Sequence, residues 1–137
     1  MLALVECALG VATVDLDEEE LVELGEGGLP AGALELSLPL VVAADRVGAR
    51  IVAVVDRRPP LVVSDDAGAT WHETGGGLPP GRDVAISPDH PDTVLYASAG
   101  RLYLSRDGGR FWEALAVELP EISRVSWPDP PDEGSGT

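Results

Sequence analysis

Ser64-Asp65-Asp66-Ala67-Gly68-Ala69-Thr70-Trp71 and Ser105-Arg106-Asp107-Gly108-Gly109-Arg110-Phe111-Trp112 are one motif written twice, 41 residues apart. The same shift carries Leu78-Pro79 onto Leu119-Pro120. The common frame is Ser-x-Asp-x-Gly-x-x-Trp, and each part has a local reason. An Asp carboxylate accepts backbone N–H groups inside a chain reversal. Gly supplies the positive φ that the reversal needs. Ser and Thr hydroxyls close the remaining backbone groups. The Trp opens the outgoing strand with a large apolar face to bury. Recurrence at a fixed period marks a repeat architecture.

A third, weaker copy lies upstream, shifted by 49 residues. It puts Leu29-Pro30 under Leu78-Pro79, Asp15 under Ser64, Asp17 under Asp66 and Val22 under Trp71. Gly27-Gly28 falls under Gly76-Gly77, and Glu19 stands where Gly68 would be. Short β-prone runs fill the spaces between turns, each bounded by Gly, Pro or Asp. The second repeat reads as strands Leu34–Ala43, Arg50–Val55, Leu61–Ser64 and Thr70–Thr74. The third reads as Arg82–Ser87, Thr93–Ala97, Arg101–Ser105 and Arg110–Val117. The acidic stretch Asp17–Leu24 looks helical by composition, but the repeat register makes it a turn and a strand. Four strands in a repeat of about 40–50 residues is the period of a β-propeller blade.

The two ends complement each other. Met1–Cys7, Val11–Val14 and Leu21–Leu24 supply the last three strands of a blade. Val125-Ser126-Trp127-Pro128-Asp129 resembles Ala85-Ile86-Ser87-Pro88-Asp89, so Ile122–Trp127 is a first strand without its blade. The expected chain is all-β, with three blades of four antiparallel strands. Blade one spans 1–30 and is completed by 121–128; blade two spans 31–79 and blade three 80–120. The remaining 129–137 reads as a disordered acidic tail, rich in Pro, Asp, Gly and Ser.

Composition excludes several functions. The 137 residues carry 9 basic and 24 acidic side chains, a net charge of −15, which opposes binding to nucleic acid or anionic lipid. No apolar run approaches the roughly 18–20 residues of a membrane span. Met1–Gly10 lacks a basic start and carries Glu6, so no secretory signal is read and the chain is expected in the cytoplasm. One cysteine, Cys7, allows neither an internal disulfide nor a cysteine zinc site. All nine basic residues are Arg. High-GC coding gives that pattern, and so does the acidic, lysine-free surface of a halophile.

The two motifs and the Ile86-Ser87-Pro88-Asp89 and Tyr96 run before the second resemble Asp-box (BNR) repeats. Such repeats occur in sialidases, sortilin-type receptors, xyloglucan-cleaving glycosidases and photosystem II assembly factors. The resemblance covers about residues 50–116 and leans to the non-sialidase branch. It implies a propeller in which Ser64, Asp66, Gly68, Trp71, Ser105, Asp107, Gly109 and Trp112 are structural, on the outer rim and away from any central site. A calcium site at these turns is not expected, since two aspartates are too few ligands.

No catalytic set is complete. A sialidase needs an arginine triad and a Tyr–Glu nucleophile, and only Tyr96 and Tyr103 are present, both in strands. A glycosidase needs two opposed carboxylates, one with a raised pKa. Among 24 acids some pair arises by chance, so the acids read as solvated surface. His72 and His90 read as surface polar residues, and Cys7 as a small core residue. Neither a metal nor a cofactor is expected. Arg57, Arg58, Arg82 and Arg101 are more suggestive. In a propeller their loops share one face, and they would ring one end of the channel to receive a protein or anionic ligand. The expected function is a non-catalytic scaffold or binding module. The alternatives are a glycoside hydrolase, sialidase-like or xyloglucanase-like, and a truncated propeller without activity of its own. Three blades fall short of the usual four to eight, so a homodimer of six blades is expected, with the C-terminal strand exchanged at each seam.

Overall fold

The computed structural model describes residues 1–29, 36, 38 and 40–128. Twelve strands and no helix form the described chain. They are β1 Leu2–Cys7, β2 Gly10–Asp15, β3 Glu20–Gly25, β4 Val41–Val47, β5 Arg50–Val55 and β6 Leu61–Ser64. β7 His72–Thr74, β8 Asp83–Ile86, β9 Val94–Ala97, β10 Arg101–Ser105, β11 Glu113–Glu118 and β12 Arg124–Ser126 follow. They build three four-stranded antiparallel sheets, in the orders β12-β1-β2-β3, β4-β5-β6-β7 and β8-β9-β10-β11. These are propeller-like blades.

The strand limits moved in places. Asp17–Leu24 is a turn followed by β3. The first strand of blade two, expected at Leu34–Ala43, is instead Val41–Val47, and most of 34–40 lies outside the described residues. β7 and β11 begin two and three residues later than read, because the Trp of each motif still belongs to the turn. The tail 129–137 also lies outside the described residues.

Period-2 alternation sorts each blade onto two faces. One seam joins blades two and three through Val52, Val54, Leu61 and Val63 against Val84, Ile86, Val94 and Tyr96. The other joins blades three and one through Leu95, Ala97, Leu102 and Leu104 against Ala3, Val5, Ala12 and Val14. Among the described residues, β4 packs on β8 and β8 on β12, but β4 and β12 do not meet. The blades therefore form an arc in the order two, three, one.

β12 completes blade one of its own chain, pairing Leu4 with Ser126, Val5 with Val125 and Glu6 with Arg124. Within this one chain, Ile122 and Val125 enter the same apolar cluster as Val5. The outer face of blade two is covered as well. Ala53, Val55 and Val62 are buried beneath Leu36, Leu38 and Trp71.

Candidate functional site

The two Ser-x-Asp turns have matching geometry. Ser64 Oγ donates to Asp66 Oδ1 at 2.7 Å and accepts the Gly68 N–H at 2.8 Å. Ser105 Oγ does the same with Asp107 Oδ1 and the Gly109 N–H, both at 2.8 Å. Asp66 Oδ1 accepts the Thr70 N–H, and Asp107 Oδ1 accepts that of Phe111. Trp71 and Trp112 donate their indole N–H to the carbonyls of Gly68 and Gly109. Each indole thereby caps the turn that presents it. These donors hold Asp66 down at about 2, the Thr70 hydroxyl contributing most. Asp107 is lowered too, first by the Phe111 amide. Both carboxylates are engaged by main-chain and hydroxyl donors of their own turns.

Two aspartates the sequence reading passed over lie deeper. Asp45 on β4 accepts the Ile86 N–H of β8 at 2.7 Å, and Asp83 on β8 accepts the Val125 N–H of β12 at 2.9 Å. Each inner strand thus reaches the next blade's inner strand through one carboxylate. Both line a cavity of about 320 Å³ with Pro88, Ser126 and Trp127. Desolvation raises the pKa of both, and the charge of Asp45 adds to the rise at Asp83. Their recurrence 38 residues apart, close to the repeat length, was the sequence signal.

Of the four arginines expected to form a rim, Arg57, Arg58 and Arg82 lie between strands and Arg101 begins β10, and three of the four are in ion pairs. Arg57 faces Glu73 at 3.7 Å, Arg82 faces Glu121 at 3.7 Å, and Arg101 faces Glu118 at 2.7 Å. Arg58 has no ion-pair partner among the described residues. It borders two adjoining hollows that share Pro60, Leu78 and Pro80. One, of about 200 Å³, runs along Val42, Val55 and Arg57. The other, of about 600 Å³, runs along Pro59, Gly77, Pro79 and Tyr103. The structure therefore brings Arg57 and Arg58 together at one trough and leaves Arg101 outside it. Tyr96 supports two of the lining residues from beneath: it is fully buried, donates its hydroxyl to the Pro79 carbonyl and stands edge-on to Tyr103, 6.0 Å between centroids.

His72 lines a polar cleft at the rim with Arg50, Asp65, Asp92 and Arg110. Arg50 rivets blades two and three there, donating to Asp65, Asp92 and the Pro91 carbonyl at 2.8 Å each. His90 is exposed, and Cys7 is buried in the core of blade one. Among the described residues no group of three or more His, Cys, Asp and Glu could hold a metal ion. No helix is long and apolar enough to cross a membrane.

No protein-family model matches the chain, and no curated protein matches it. Among solved structures it is similar to the GH74 enzyme of Niastella koreensis, at 31% identity and a TM-score of 0.43, over 52% of this chain and 10% of that one. It is also similar to the GH74 xyloglucanase of Xanthomonas campestris, at 21% identity and a TM-score of 0.45, over 80% of this chain and 18% of that one. The chain thus spans a small part of the length of either enzyme.

Proposed function

We propose that this chain is a non-catalytic propeller-type binding module whose docking surface is the arginine-bearing face. One observation carries the reading. The carboxylates held in fixed positions, Asp45, Asp66, Asp83 and Asp107, each accept main-chain amides and act as structural acceptors. Arg57 and Arg58, in contrast, project at the mouth of a partly apolar trough. The test compares wild type with an Arg57→Ala/Arg58→Ala/Arg101→Ala triple in a binding screen against proteins and anionic ligands. Loss of binding in the triple supports the reading, and unchanged binding removes the arginine face from it.

A second reading, a glycoside hydrolase, has one specific observation in its favour. Asp45 and Asp83 line one cavity and both have raised pKa values, the property a general acid needs. A panel of aryl-glycosides and sialosides is expected to give no turnover above blank. Turnover that disappears in Asp45→Asn and Asp83→Asn would replace the binding module with an enzyme.

A further inference from the structure

We infer that the trough around Arg58 takes an extended peptide segment carrying an acidic residue between two apolar ones; this rests on the binding-module reading. The charge argument comes first. Arg57 and Arg82 each face a carboxylate at 3.7 Å, and Arg101 is hydrogen-bonded to Glu118 at 2.7 Å. Arg58 is exposed and has no such partner among the described residues, so it is the rim cation left to meet a carboxylate from outside. A guanidinium binds a carboxylate in a two-pronged, charge-assisted geometry.

Arg58 has apolar side chains on both sides. Val42, Val55 and Leu78 line one, together with the charged Asp56 and Arg57, and Tyr103 with Pro59, Pro60, Pro79 and Pro80 lines the other. Val42 is 50% exposed, a large aliphatic left uncovered beside the cation. An apolar–acidic–apolar sequence matches this order of surfaces.

The backbone chemistry selects the form of the partner. Four prolines in the walls offer no N–H, and the Pro60 and Pro79 carbonyls already accept the Val55 amide and the Tyr96 hydroxyl. A β-strand ladder therefore finds no main-chain donor at these four positions. A polyproline-II segment needs no such ladder, because its backbone stays solvated while its side chains dock against aromatic and proline surfaces. A peptide gains from one-sided contact along its length.

Fluorescence anisotropy with a labelled Pro-Leu-Glu-Leu-Pro peptide tests this, beside its Gln counterpart and a poly-Glu peptide. The expected result is at least about tenfold tighter binding of the Glu peptide than the Gln peptide, weakening with added salt. Arg58→Gln should abolish that preference, while Arg101→Ala should leave it unchanged. Thermal melts confirm that both variants fold. If the acidic peptides bind but only Arg82→Ala or Arg101→Ala weakens them, the trough is overturned and the wider arginine face stands. If wild type binds none of the acidic peptides, this inference is overturned, and the screen with the triple variant decides separately whether the arginine face binds other ligands.

Discussion

Glu19 shows how far a single residue records the repeat. The upstream copy has lost the glycine of its turn, yet Glu19 keeps a φ of 55°, in the left-handed region that glycine favours. Asp15, in the place of the motif serine, accepts the Asp17 and Glu18 amides. The turn survived the loss of its best residues because a carboxylate took over the capping. Gly81 makes the opposite case, a glycine required by space. A Cβ there would lie 2.5–2.6 Å from the Tyr96 ring, which is locked in the seam between blades two and three. Gly81→Ala should cost about 1–3 kcal/mol, the range for overpacking a core. Gly76→Ala, with nothing within 4 Å, should be near neutral. Urea titrations of the two variants check the contrast. Asp66 predicts a pH dependence. Its folded pKa of about 2 lies below the ordinary 3.8. The stability it contributes is present above 3.8 and is lost as pH falls through about 2. Melting temperatures recorded across that window should slope less in Asp66→Asn than in wild type. Equal slopes would show that the turn is not what acid dissolves.

At the scale of elements, β12 is the piece whose role is largest for its length. With the residues leading into it, it contributes Ile122 and Val125 to the core shared by blades one and three, and it covers the inner edge of β1. Glu6 clasps the closure: it accepts the Leu29 amide and the Ser123 hydroxyl and pairs with Arg124 at 3.2 Å. Emptying two buried aliphatic positions costs about 2–5 kcal/mol each. A domain has only about 5–15 kcal/mol in total. A chain ending at Pro120 should therefore show no cooperative melt and should bind a hydrophobic dye. A sharp melting transition in that variant would mean that blades two and three hold the fold by themselves. The strands of blade three were legible because Val94–Ala97 and Arg101–Ser105 are short β-prone runs between turn residues. The start of blade two was not, because the Leu34–Leu40 run has the hydrophobicity of a strand. Two of its leucines, Leu36 and Leu38, cover a sheet face instead. Periodicity reports burial, and a covering segment is buried like a strand.

For the whole molecule, an arc of three blades leaves two outer faces, and they differ. The face of blade two lies under Leu36 and Leu38, while blade one leaves Leu2 42% exposed and Leu21, Val22 and Leu24 of its edge strand β3 between 43% and 56% exposed. We propose that a second copy covers this apolar surface. A six-bladed ring would also have to displace the two leucines from blade two. Light scattering is predicted to give the mass of two chains, and Val22→Glu with Leu24→Glu to give the mass of one. With a charge of −15 on each chain, added salt should favour the pair by screening their repulsion. A wild-type mass of one chain at high salt would dispose of both ring and dimer.

The sequence by itself determined the repeat, the blade count, the Ser-x-Asp turns and the placing of β12 beside β1. All of these follow from residues acting on neighbours in the chain or from a pattern that recurs along it. Tertiary structure alone decided which polar groups are spent. Asp45 and Asp83 became bridges between blades because folding set them, half-buried, beside amides about 40 residues away. Arg57, Arg82 and Arg101 met acids that spacing does not announce, which left Arg58 as the rim arginine without an ion pair among the described residues. Local turn chemistry can be read one residue at a time, but the pairing of charges depends on distances that exist only after the blades have packed.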